Sequence, residues 1–216
     1  MSGSTTSVLA DKARRALDSG TDLVEFRIDT LRSLDFEEIE AELSEFVRRC
    51  VFTVRPGREA GRFRGSESQR LGLIGALARL RPAFLDVELH TMETNSGLLS
   101  ESGSPSLIVS WHDPLGTPGL ELLHSVLSKA SRFGGLVKVV TTASDPADAI
   151  RVLSLYDRSP QPPIAFCMGT RGVFSRVMAM ELGSPIAYAS LSDEPTAAGQ
   201  LSLSQMLALR RRVQDA

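Results

Sequence analysis

Three observations predict an eight-stranded parallel α/β barrel. Short apolar runs rich in β-branched residues recur at even intervals, helical periods fill the gaps, and no Gly-rich phosphate or dinucleotide fingerprint follows any run. The last point disfavours an open doubly wound sheet, the other arrangement that regular βα alternation allows. With 216 residues, 42% hydrophobic and 23% charged, the composition is that of a soluble globule. No linker rich in Pro, Gly or Ser divides it, so one (β/α)8 TIM-barrel domain is expected over residues 1–216.

Seven strands read directly from period-two or continuous apolar runs, at 22–28, 50–54, 84–88, 106–111, 136–140, 163–168 and 186–191. An eighth, the faintest, is assigned to 5–10, ahead of a helix at 13–17. Helical spacing fits 36–48, 68–80, 119–133, 146–156, 173–182 and 201–213. Asp35 precedes the first of these as a cap, Asp145 with Pro146 opens the fourth, and Ser202 or Ser204 opens the last. Residues 95–105 and 159–163 read as loops.

Several function classes drop out. No apolar run approaches the roughly 20 residues of a spanning helix, and the opening Met-Ser-Gly-Ser-Thr-Thr has neither a basic start nor an apolar stretch. A cytoplasmic protein with no membrane contact is the expectation. Cys50 and Cys167 lie at or within apolar segments, which suits buried thiols in a reducing compartment. A net charge of −2 gives no pull towards nucleic acid. The sequence shows neither a metal-ligand cluster nor a phosphate loop.

In a parallel barrel the C-terminal strand ends and the loops after them build the active site, so polar residues that interrupt the strands stand out. Glu25 and Arg27 alternate with Val24, Phe26 and Ile28 and share one face, taken as the interior. Such charges need each other or a polar ligand, which leaves a structural ion pair in the barrel floor as the alternative. Arg55 follows the second run, and Glu59 stands four residues on, in a loop that can hold a carboxylate over the barrel mouth. Arg58, Arg62 and Arg64 in that loop read as solvated or lid residues. His112 alone of three histidines ends a strand; His124 falls in a helix and His90 in a loop just past a strand. An imidazole at that place shuttles protons near neutrality or serves the fold.

The basic residues are lopsided. Lys12, Lys129 and Lys138 are the only lysines, against 21 arginines, an imbalance that as a whole reads as coding bias. Lys12 and Lys129 sit in polar helical surroundings, whereas Lys138 interrupts Leu136-Val-Lys-Val-Val140. Facing inwards, that amine is driven by desolvation towards its neutral form, which attacks carbonyls and makes imine catalysis available; the alternative is a lysine whose ammonium reaches water at a barrel end. Arg176 lies one turn into the helix after the 163–168 run, and the last loop carries Thr196 and Gln200. A guanidinium matches a carboxylate, and hydroxyl and amide groups add polar contacts, so the set points to an anionic, hydroxylated, carbonyl-bearing small molecule.

Taken in order, these residues resemble the type I 3-dehydroquinate dehydratases of the shikimate pathway, Schiff-base-forming (β/α)8 enzymes. The likeness runs through Val24-Glu-Phe-Arg-Ile-Asp29, Thr53-Val-Arg55 with Glu59 and Gly61, Asp86-Val-Glu88 and Ser110-Trp-His-Asp113. It continues through Lys138-Val-Val140, Met168 with Gly172-Val-Phe-Ser-Arg176, and Pro195-Thr-Ala-Ala-Gly-Gln200, covering nearly the whole chain after Asp22. It implies that Lys138 forms the imine, that His112 is the general base and later acid, and that Glu59 assists the histidine. It implies substrate contacts from Glu25, Arg27 and Arg55 at the ring hydroxyls and carbonyl end, and from Arg176, Thr196 and Gln200 around the carboxylate. Met168 and Tyr188 become apolar walls.

The implied reaction is syn elimination of water from 3-dehydroquinate, with no cofactor, in a cytoplasmic enzyme that is often a homodimer; the last helix is a plausible interface. Three positions depart from the pattern: Ala60 where a glycine is usual, Ala198 for a frequent proline, and the faint run at 5–10, which leaves any contact from Ser7 open. A class I aldolase is the nearest rival, although such enzymes commonly grip phosphate with Gly-rich last loops and Thr196-Ala-Ala-Gly-Gln200 has one glycine. A noncatalytic metabolite-binding barrel is the rival from another class.

Overall fold

The structure, a computed structural model, describes residues 1–95, 97, 106–191 and 197–214. Thr5 decides the first element. Its hydroxyl accepts from the Val8 backbone N–H, and helix α1 (Thr6–Asp18) follows. Thr6, Leu9, Ala10, Ala13 and Ala16 are buried, which is the three-to-four spacing of a helix face. The strand expected at 5–10 is thus the start of a helix: the cap and the apolar period outweigh the β-branched Thr and Val side chains.

Two compact units divide the chain, Met1–Val109 and Ser110–Ala216. After α1, the first contains β1 (Val24–Arg27), α2 (Phe36–Leu43), β2 (Cys50–Thr53), α3 (Glu67–Arg79), β3 (Phe84–Glu88) and α4 (Leu89–Thr94). β1 pairs in parallel with β2, Phe26 opposite Phe52, and β2 with β3, Thr53 opposite Asp86. Phe26 lies 5.7 Å, centre to centre, from both Phe46 and Phe52, so aromatic packing anchors this unit's core. Asp35 caps α2 as expected, and a reciprocal Ser66–Gln69 capping box starts α3. α4 had no counterpart in the sequence reading, and His90 belongs to it rather than to a loop.

β4 (Ser106–His112) spans the division. The second unit continues with α5 (Leu120–Ser131), β5 (Leu136–Thr142), α6 (Pro146–Leu153), β6 (Ile164–Met168), α7 (Val173–Glu181) and α8 (Leu203–Gln214). β5 and β6 are parallel, with Lys138 opposite Ile164 and Thr142 opposite Met168. Asp145 with Pro146 starts α6 as expected. Ser202 rather than Ser204 caps α8, accepting from the Gln205 N–H at 3.3 Å while its own N–H donates to the Gln205 side chain at 2.9 Å.

Strand order follows the sequence from β1 to β6. Six strands, not eight, form among the described residues. Besides 5–10, the loss is at 186–191, where pairing reduces to one bridge between Ser190 and Ser202. There the Ser190 N–H donates to Leu201 and its carbonyl accepts from Leu203. A strand needs a neighbour along its length, and this stretch meets one at a single residue. Among the described residues no helix is long and apolar enough to cross a membrane.

Candidate active site

In the unit Met1–Val109, the chain turns back on itself just past β2. The Gly61 N–H donates to the Pro56 carbonyl at 3.0 Å, and a Cβ on Gly61 would fall 2.0 Å from the Arg55 carbonyl oxygen, so only glycine allows this approach. Ala60 beside it sits in the left-handed region, φ 58°. The Arg62 N–H donates to Asp29 at 2.9 Å, tying this loop to the end of β1.

Arg55 is the hub of a buried charge network. Its Nη2 meets Asp86 at 2.7 Å, and its Nη1 meets Glu88 at 2.9 Å and Glu59 at 3.4 Å. Burial opposes the guanidinium charge, but the carboxylates of Asp86, Glu88 and Glu59 more than offset that and raise the Arg55 pKa. For Glu59, burial outweighs the shared arginine and pushes the carboxyl up to about 7, with Glu88 and Asp86 adding repulsion. Arg27 gives both arms of its fork to Asp29, at 2.9 and 2.8 Å, and Glu25 accepts from the Thr53 hydroxyl at 2.8 Å. The structure therefore brings Arg55 and Glu59 together and puts Glu25 on the neighbouring strand's threonine.

In the unit Ser110–Ala216, Lys138 is 4% exposed in the middle of β5. Its Nζ lies 4.1 Å from the centre of the Tyr188 ring, which in turn lies 6.1 Å from Phe166 on β6. Arg176, buried on α7, covers the other ring with its guanidinium 4.4 Å from the centre of Phe166. Burial pulls the Arg176 pKa down to about 10, and its Nε has no hydrogen-bond partner among the described residues. A buried, protonated guanidinium in that condition is costly without an anion.

His112 ends β4 half-buried, and the next residue, Asp113, donates its N–H to Val140, two positions from Lys138 on β5. Met168 ends β6. The Gly169 N–H donates to the Ala198 carbonyl at 3.0 Å, which ties the segment holding Gln200 to the end of β6. Gly199 permits that approach: its φ is 74°, and a Cβ there would come 2.4 Å from the Gly169 carbonyl oxygen. Thr196 lies outside the described residues. Among the described residues no group of three or more His, Cys, Asp or Glu is placed to hold a metal ion.

Sequence reasoning gave no role to Asp29, Asp86, Glu88, Arg70 or Phe166. One signal was available for Asp86 and Glu88, which alternate along an apolar run as Glu25 and Arg27 do. For Arg70, inside a helix of ordinary amphipathic spacing, there was none.

Fold and site together define a parallel α/β enzyme carrying a buried strand lysine against an aromatic ring. A family model described as type I 3-dehydroquinase matches residues 1–214. The chain belongs to that family. It is 41% identical over 194 residues to a 3-dehydroquinate dehydratase of Pyrobaculum aerophilum, a match covering 87% of this chain and 62% of that protein, less than two thirds of its length. The protein of the same name from Methanocaldococcus jannaschii is 31% identical over 209 residues, covering 92% and 93%. The crystal structure of 3-dehydroquinate dehydratase from Geobacillus kaustophilus is similar with a TM-score of 0.90 at 26% identity, covering 99% of this chain and 88% of that one. That from Aquifex aeolicus is similar with a TM-score of 0.84 at 26% identity, covering 97% and 95%. Family and names alike support a hydro-lyase that acts on 3-dehydroquinate.

Proposed function

We propose that this chain removes water from 3-dehydroquinate to give 3-dehydroshikimate, through an imine on Lys138. The observation that carries the reading is the enclosure of Lys138 in mid-strand against Tyr188. The amine adds to the substrate ketone and expels water to leave an iminium. His112 then takes a proton from the adjacent carbon, the C–H electrons forming an enamine. The enamine pushes out the β-hydroxyl group, which leaves as water with the proton held by His112. Hydrolysis of the new iminium releases product and restores the amine, so one water is lost overall.

Arg176 is assigned to the substrate carboxylate, a role favoured by its costly burial and by an Nε with no hydrogen-bond partner among the described residues. Gln200 and Thr196 join it on the strength of the family resemblance, as do Glu25, Arg27 and Arg55 at the hydroxyls and carbonyl end, and Glu59 as assistant to His112. Met168 and Tyr188 are the apolar walls. The same resemblance underlies a single (β/α)8 domain, a cytoplasmic setting and a homodimer using the last helix, α8.

Incubation with 3-dehydroquinate and borohydride, followed by mass spectrometry of peptides, tests the mechanism. Reduction should trap the substrate on Lys138, and His112→Ala should still be trapped while losing most turnover. An unmodified Lys138 in an active enzyme rules out the imine. A trapped phosphosugar in place of 3-dehydroquinate would favour an aldolase, and substrate binding without adduct or turnover a noncatalytic barrel.

A further inference from the structure

Arg70 has no part in the reaction as written, yet its side chain is completely enclosed on α3. Its fork is divided among groups from several elements of the unit Met1–Val109. Nη1 reaches Glu88 at 2.6 Å and the Val54 carbonyl at 3.0 Å, Nη2 reaches the Thr91 hydroxyl at 2.6 Å, and Nε and Nη2 hold Glu67 at 2.9 and 2.7 Å. An apolar residue would fill such a place at less cost in desolvation.

Glu88, also completely enclosed, is the link. One of its oxygens takes Arg70 and the other takes Arg55. The Arg55 nitrogen on Glu88 at 2.9 Å is the same one that reaches Glu59 at 3.4 Å. Glu88 and Glu59 therefore compete for one donor, and the grip of Arg70 on the far oxygen of Glu88 bears on how that donor is shared. We propose that Arg70 is a positioning residue of the dehydration, acting through Glu88 and Arg55 to set the place and the ionisation of the Glu59 carboxylate. The role rests on the reading above, in which Glu59 assists His112 as a carboxylate.

Without the Arg70 charge, Glu88 keeps on that oxygen, among the described residues, the Thr91 hydroxyl at 3.2 Å, and draws Arg55 towards itself. Charged groups facing Glu59 include Arg55 from the end of β2, Glu88 and Asp86 from β3, and Arg58 from its own turn. Less of Arg55 and a less neutralised Glu88 both favour protonated Glu59. Activity that needs the carboxylate then starts at higher pH.

The test is kcat and KM against pH for wild type, Arg70→Met and Arg70→Lys, with borohydride trapping and circular dichroism in parallel. Misplacing a group by about 1 Å is enough for a loss on the order of a hundredfold. In Arg70→Met we expect kcat to fall by about tenfold or more, with KM little changed and trapping at Lys138 retained. The acid limb of the profile should move to higher pH. Arg70→Lys, which keeps the charge without the fork, should show a smaller displacement in the same direction. Folded Arg70→Met with the wild-type limb overturns the role, even if kcat falls with the folded fraction. If Arg70→Met does not fold, Arg70→Lys decides: a raised limb supports the role and a wild-type limb overturns it. An inactive wild type removes the functional reading and this role with it, whereas an active wild type with unmoved variants removes this role alone.

Discussion

The Nζ of Lys138 lies 4.1 Å from the centre of the Tyr188 ring, although the two residues are fifty positions apart and Tyr188 belongs to no strand. The ring closes one side of the amine to water, and its face is attractive to the positive charge that the iminium step creates. Tyr188→Phe keeps that face and should trap substrate at close to the wild-type rate. Tyr188→Ala loses a cation–π contact worth about 1–2 kcal/mol when desolvated, so trapping should slow about tenfold. Quenched-flow borohydride reduction measures both; equal rates for the two variants would remove the ring from this role.

Glu59 should make stability depend on pH. Its folded pKa of about 7 exceeds the usual carboxylate value because burial penalises the charged form. A group raised in this way contributes stability that is complete below its unfolded value and is lost as pH rises through the folded value. The window here runs from about 4.5 to about 7. Glu59→Gln should therefore gain on wild type across that window, by an amount on the order of 3 kcal/mol at most. Urea melts at pH 5 and pH 8 check it, and a constant difference between the two proteins would contradict the assignment.

Arg176 should show a trade of stability for binding. Its guanidinium is buried with an Nε that has no hydrogen-bond partner among the described residues, and Arg176→Met replaces it with an apolar side chain of similar length. Melting should rise by about 1–2 kcal/mol in stability. Loss of a charge-assisted hydrogen bond worth about 1.5–3 kcal/mol should raise KM by about tenfold to a hundredfold. A lower melting temperature in the variant would mean that the arginine is structurally satisfied.

Opposite effects are expected from neighbouring residues in the loop after β2. Ala60 at φ 58° bears a left-handed conformation that costs about 1 kcal/mol in a residue with a Cβ, so Ala60→Gly should stabilise by up to about that amount. Gly61→Ala puts a methyl group against the Arg55 carbonyl and should destabilise, displacing Arg55 and with it Glu59. Thermal melts of both variants, with kcat measured alongside, check the pair; unchanged kcat in Gly61→Ala would separate this turn from Glu59.

Lys138 was legible because one lysine in a run of valines breaks a pattern, and Glu59 and Arg55 because they flank a glycine-bearing turn after a strand. The strand at 186–191 was misread for a related reason. Alternating apolar residues state a preference for extended backbone, but a strand exists only where a neighbour supplies hydrogen bonds along its length, and among the described residues pairing here reduces to the bridge at Ser190, bonded to Leu201 and Leu203. At 5–10 the cap hydroxyl of Thr5 was visible in the sequence, yet its consequence depended on a buried face running on through Ala16.

Residue type and order by themselves determined the parallel α/β class and the mid-strand amine, since side-chain period and chemical identity are local properties. Only the tertiary structure decided which oxygen each arginine meets. Arg27 goes to Asp29, Arg55 reaches Asp86, Glu88 and Glu59, and Arg70 reaches Glu88 from a helix. Those choices depend on distances of a few ångströms, several of them between residues far apart in the chain, and at Glu59 burial turns them into a raised pKa that no local pattern records.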